Sequence, residues 1–179
     1  MIDAFQFEAF VRKYQDLVFG TAIRLLGNAS EAEDAAQTVF LRAFERFDAV
    51  GGSPAAAGWL KTVTTNVCLN YLSRYRARWR LFSEMARDDG ERTEEAYDAG
   101  IAAKGSPALD VERADRHARL GRALQQLPDH QRVPLVLFHF ENKSYEDIAA
   151  LLGVSLGKLK TDIHRGREAL RRQITNDEE

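Results

Sequence analysis

The sequence predicts an all-α protein: two small helical domains joined by a flexible acidic linker, the C-terminal one containing a helix-turn-helix. Three observations predict this. Apolar residues recur at helical spacings along most of the chain and nowhere alternate with period two, so helices are expected and strands are not. Large apolar residues thin out over residues 88–107, DDGERTEEAYDAGIAAKGSP, where acid and glycine accumulate as they do in tethers. Residues 144–172 read as two helices joined by a very tight turn. Domains are therefore expected at residues 1–87 and 108–179.

The helices follow in order. Residues 5–26 carry Phe7, Phe10, Tyr14, Leu17, Val18 and Ile23 on one side and stop at Gly27-Asn28, a helix-ending pair. A capping box from Ser30 and Glu33 is expected to open a second helix over residues 31–47, with Ala32, Ala36, Phe40, Ala43, Phe44 and Phe47 as its buried stripe. Its outward side then holds Asp34, Gln37, Thr38, Leu41, Arg42 and Glu45, a surface that is either solvated or a docking face. DAVGGSP at residues 48–54 is a glycine-rich break, with Ser53 as N-cap and Pro54 at a first helical position. The third helix, residues 55–79, carries Trp59, Leu60, Val63, Val67, Leu69, Tyr71 and Leu72 and ends in RYRARWR. Those arginines suit a helix C-terminus, and equally a surface that neutralises phosphate beside base-stacking aromatics.

After the linker, Ser106-Pro107 opens a helix bearing Leu109, Val111, Leu120 and Leu124, which ends at Leu127-Pro128. Residues 129–140 follow as an apolar central helix, with Pro134 a kink or a late start. Ser144 and Asp147 form the next cap, Ile148, Ala149 and Leu152 give a short apolar face, Gly153 suits a positive φ, Val154 plugs the angle, and Ser155 caps the last helix. In that helix Leu156, Leu159, Ile163 and Leu170 share one stripe. Residues 156–172 hold six cations against two anions, so phosphate is the natural counterpart. A merely soluble helical hairpin is the plainer alternative.

Composition narrows the classes. The 179 residues are 45% hydrophobic, enough for two real cores, and the formal charge is −2, so any nucleic-acid binding depends on segregated charge. Residues 1–87 carry eleven basic and nine acidic groups, residues 88–107 two and six, and residues 108–179 twelve of each. Cys68 alone forms no internal disulfide or multi-cysteine zinc site and reads as core. No bilayer-length apolar run and no basic flank at the N-terminus argue against membrane insertion and for the cytoplasm. There is no phosphate loop, no metal-spaced histidine pair among His117, His130, His139 and His164, and no nucleophile motif, so an enzyme is not expected and no cofactor is called for.

The segment AEDAAQTVFLRA at residues 32–43 resembles the core-binding helix of sigma-seventy-type factors. Leu127-Pro128 with Gln131-Arg132, SYEDIA at 144–149, GVSLG at 153–157, and Lys160, His164, Arg165 and Arg167 resemble the second promoter-binding domain of the small extracytoplasmic-function class. The resemblance implies a promoter-specificity subunit. It would bind core RNA polymerase through Asp34, Gln37, Leu41 and Arg42, and capture the unstacked minus-ten strand with Asp48, Ser53, Asn66, Asn70, Arg74, Arg76 and Arg78. It would read the minus-35 duplex with Ser155, Lys158, Lys160, Thr161, His164, Arg165, Arg167 and Arg172, of which Lys158, Thr161, Arg165 and Arg172 are expected opposite the apolar stripe. The linker would thread through the polymerase, and an anti-sigma protein would hold the factor inactive. The sequence departs from that family where Asp162 stands for a usually basic residue and Thr38-Val39 for the usual acid-threonine pair. Asp162 either orients Lys158 and Arg165 or weakens phosphate binding. The rival readings are a stand-alone helix-turn-helix regulator that never touches polymerase and a helical adaptor with no DNA role.

Overall fold

The computed structural model describes residues 4–85 and 107–176, and the expected linker lies outside them. Among the described residues every element is a helix: α1 (Ala4–Leu26), α2 (Ala29–Glu45), α3 (Phe47–Val50), α4 (Ala56–Met85), α5 (Pro107–Gln126), α6 (Asp129–His139), α7 (Tyr145–Leu152) and α8 (Leu156–Asn176).

Helices α1, α2 and α4 pack against one another around Val18, Ala22, Leu25, Leu60, Val67, Cys68 and Leu72, all buried. Two details of α2 differ from expectation. It starts two residues early, because Asn28 rather than Ser30 is the cap, its Oδ1 accepting from the Glu31 amide at 3.1 Å. Its buried stripe is Ala32, Ala35, Val39 and Ala43, with Phe44 45% exposed. Small side chains let α2 approach both neighbours, and the large rings are pushed to its edge, where Phe44 meets Phe7 edge-on at 5.0 Å. The glycine-rich break also contains the short α3: Phe47 packs edge-on against Phe7 and Phe10, with ring centres 5.3 and 5.4 Å away. Ser53 acts as expected, its Oγ accepting from the Ala55 amide at 3.2 Å, and α4 begins just beyond.

In the second half, α6 is the buried centre, with Val133 to Leu137 all within the core and Pro134 inside the helix. Helices α7 and α8 pack against it and α5 packs on α8, with Leu124, Ile148, Leu152, Leu159 and Ile163 buried. Among the described residues α1 meets α5 and α6 of the second half. Arg132 of α6 is 3% exposed and caps the C-terminus of α1, donating from Nε to the Leu25 carbonyl at 3.3 Å and from Nη2 to the Leu26 carbonyl at 2.9 Å. It also donates from Nη1 to the Leu127 carbonyl at 2.7 Å and pairs with Asp129. Gly27, at φ +67°, makes room for it: a Cβ there would lie 2.6 Å from the Arg132 Cζ. Beside it, Lys61 Nζ donates to the Phe140 carbonyl at 2.6 Å, Thr65 Oγ1 donates to Glu141 at 3.4 Å, and the Arg24 guanidinium lies 4.8 Å from the Phe140 ring centre.

Candidate nucleic-acid interface and docking face

The helix-turn-helix is built by its caps. Ser144 Oγ accepts from the Asp147 amide at 3.1 Å, which starts α7; Gly153 ends it at φ 67°, ψ 36°, its amide donating to the Ala149 carbonyl. Ser155 Oγ accepts from the Lys158 amide at 3.2 Å and starts α8. Leu159 and Ile163 bury their side chains against the domain core, whereas Leu156, expected on the same stripe, is 37% exposed at the first position of the helix, where less of the domain covers it.

Of the residues expected to meet the minus-35 duplex, Ser155, Lys160, Thr161, His164, Arg165 and Arg172 are exposed. Two are placed differently. Lys158 does not lie out in solvent with Thr161, Arg165 and Arg172: its Nζ sits 2.7 and 2.8 Å from the two carboxylate oxygens of Asp162, and the side chains are 14% and 6% exposed. The cause is the position of Asp162, four residues on and buried at the flank of the Leu159–Ile163 stripe. Arg167 turns back onto α6, donating from Nε to His139 Nε2 at 3.3 Å with its guanidinium 5.6 Å from the Phe138 ring centre. Burial raises the Asp162 carboxyl pKa, and Lys158, His130 and Arg165 act against that shift. Burial lowers the pKa values of His130 and His139; for His139 the Arg167 charge adds to it.

On the first domain, Asp34, Gln37, Leu41 and Arg42 share the exposed side of α2, with Leu41 66% exposed. An apolar groove of about 820 Å³ runs beside them between α1 and α2, and Gln37, Leu41, Phe19, Phe40 and Phe44 help to line it. Sequence reasoning missed Phe19 and Phe44, having counted Phe44 as core; the run of small residues Ala32, Ala35, Val39 and Ala43 was the available signal. Of the expected minus-ten set, Asp48, Asn66 and Asn70 are exposed and Ser53 is half-buried with its hydroxyl oxygen used in the turn. Arg74, Arg76 and Arg78 fall on the second half of α4, and their side chains lie outside the described residues. A second cleft of about 320 Å³ brings Asn70 together with Arg42, Thr38 and Tyr71, so the two expected sites of this domain adjoin.

Residues 10–79 match the model of Sigma-70 region 2, and residues 117–170 match that of Sigma-70, region 4. The ECF RNA polymerase sigma factor SigW of Bacillus subtilis is 31% identical over 94% of this chain and 88% of its own length. The chain belongs to the extracytoplasmic-function sigma factors of the sigma-70 family. The RNA polymerase sigma-H factor of Pseudomonas aeruginosa is 33% identical to this sigma factor over 92% of the chain and 83% of its own. A solved structure of the sigma factor RpoE in complex with the anti-sigma factor NepR from Bartonella quintana covers 94% of this chain and 96% of that chain, with 25% identity and a TM-score of 0.47. In this sigma factor the region 2 match spans the α2 face, the α3 turn and α4 as far as Trp79, and the region 4 match spans the helix-turn-helix but stops short of Arg172. No helix among the described residues is long and apolar enough to cross a membrane.

Proposed function

We propose that this sigma factor docks on core RNA polymerase through the outward face of α2 and guides it to promoters with one DNA-binding surface in each domain. One observation carries the proposal. Asp34, Gln37, Leu41 and Arg42 form an exposed stripe on a helix whose opposite stripe is fully buried, and Leu41 stands 66% exposed within it. A large leucine held in water among polar groups, beside an apolar groove, suits a protein partner that covers it. A stand-alone DNA reader has no use for such a face.

The remaining roles follow from position. Asn66 and Asn70, four residues apart on α4, and Asp48 on α3 offer polar edges to an unstacked minus-ten base, with Arg74, Arg76 and Arg78 further along the same helix for its phosphates. Binding the single strand offsets the cost of opening the duplex. In α8, Thr161, Arg165 and Arg172 face the minus-35 major groove, with Ser155, Lys160 and His164 along its flank. Residues 88–107 tether the domains and thread through the polymerase. The factor works in the cytoplasm by binding, without a cofactor; the polymerase performs the chemistry. Control by an anti-sigma protein belongs to this reading through the family.

Replacing Leu41 and Arg42 together by glutamate tests the docking face. Both side chains are exposed, so circular dichroism is expected to stay unchanged while co-purification with core polymerase falls at least ~10-fold, the loss of about 1.4 kcal/mol or more of binding energy. Equal retention of core polymerase contradicts the proposal and favours the stand-alone regulator.

A further inference from the structure

Lys158, Thr161, Arg165 and Arg172 are spaced by three, four and seven along α8, so helix geometry alone would array all four on one side. Three of them are exposed. The fourth has been drawn inward: the Lys158 ammonium is held by both carboxylate oxygens of Asp162, at 2.7 and 2.8 Å. Asp162 is 4% exposed, lies on the flank of the Leu159–Ile163 stripe, and has His130 of α6 and Arg165 among its charged neighbours. A solvent-exposed lysine exchanges a surface partner for a DNA phosphate readily, because such pairs are weak. This pair is desolvated, and moving the ammonium to a phosphate would leave a carboxylate buried without its cation.

We infer that Asp162 is a positioning residue that withholds Lys158 from the DNA, confining the phosphate grip on this side of α8 to Arg165 and Arg172. The inference rests on the reading of α8 as the duplex-binding helix and deepens it. Its consequence is a weaker sequence-independent grip. Phosphate contacts position a protein without reading bases, so one fewer of them lowers non-specific affinity and leaves base readout a larger share of the whole. The residue that departs from the family pattern thus trades affinity for discrimination.

The test is the salt dependence of binding by the full chain to a fluorescein-labelled mixed-sequence duplex, followed by anisotropy between about 50 and 200 mM salt, where each phosphate contact contributes about 0.9 to the slope of log K against log salt. Asp162→Asn is expected to steepen that slope by about 0.9, so that its affinity gain over the parent chain shrinks about 3-fold across the range. Adding Lys158→Gln to Asp162→Asn is expected to restore the parental slope. A mispacked helix would not mimic this pattern, since it would weaken binding rather than add a contact. Lys158→Gln alone, whose amide still donates to Asp162, is expected to leave the slope where it is, and it decides the matter should Asp162→Asn fail to fold. A Lys158→Gln chain whose slope is shallower by about 0.9, or a folded Asp162→Asn chain with the parental slope, overturns the role of Asp162. Arg165→Gln and Arg172→Gln separate the two levels: if neither makes the slope shallower, α8 does not grip phosphate with these residues, and the underlying DNA reading is what has failed.

Discussion

Replacing Arg132 by methionine keeps an apolar stem and removes a guanidinium that serves two domains at once. In the folded chain that guanidinium donates to the Leu25, Leu26 and Leu127 carbonyls and pairs with Asp129, at 3% exposure. Hydrogen bonds from a charged donor contribute about 1.5–3 kcal/mol each, and a carbonyl left buried without a donor costs about 1–3 kcal/mol. The Leu25 and Leu26 carbonyls can regain water if the domains part, and bonds that share one donor group do not add fully. The expected loss is therefore about 3 kcal/mol, read from urea unfolding. Parting of the domains gives a second signal. Dyes on cysteines introduced at Glu45 and Glu168, both exposed, report the separation by energy transfer. Native Cys68 does not compete for the label, because burial first, and then the charge of Glu141, push its pKa up to about 12. A stability change below about 0.5 kcal/mol, the range of an ordinary surface substitution, with unchanged transfer efficiency would refute the role given to Arg132.

Other outcomes follow from single contacts. A methyl added by Gly166→Ala would lie 2.6 Å from Leu135 Cδ1 and 3.3 Å from the Gln131 carbonyl oxygen, so overpacking of about 1–3 kcal/mol should exceed the roughly 1 kcal/mol gained in helix propensity, and thermal melting should show a net loss. Ser144→Ala removes the cap that starts α7 and should cost about 1 kcal/mol of stability; an unchanged melting temperature would dismiss that cap. His130 and His139 have folded pKa values below the usual 6.5, so the unfolded chain binds more protons than the folded one. The stability they confer is present above pH 6.5 and lost as pH falls through their folded values; replacing either by glutamine should flatten the melting temperature across that window.

The parts of this molecule governed by neighbours in sequence were legible before any coordinates. The Ser144 and Ser155 caps, the Gly153 and Gly27 stops, the start of α5 at Pro107 and the exposed α2 face each depend on residues within a turn or two, and the structure places them as expected. The deviations come from packing. Which stripe of α2 is buried depends on how closely two other helices approach it, and that favoured Ala35 and Val39 over Phe44. Arg132 reads as a charged residue in an apolar helix until α1, more than a hundred positions away, supplies its acceptors. Lys158 and Arg167 looked alike as cations on α8, yet Asp162 captured one and His139 with Phe138 the other. A helical wheel shows which residues share a side, but it does not show where a long side chain finds its charge.

That this chain gives core RNA polymerase its promoter can be checked by run-off transcription from a promoter library with purified core polymerase. Transcripts starting at a defined subset of promoters are expected only when the chain is present, and are expected to be lost with Leu41 and Arg42 both changed to glutamate. Tight binding of the chain to DNA with no added transcripts from core polymerase would contradict it.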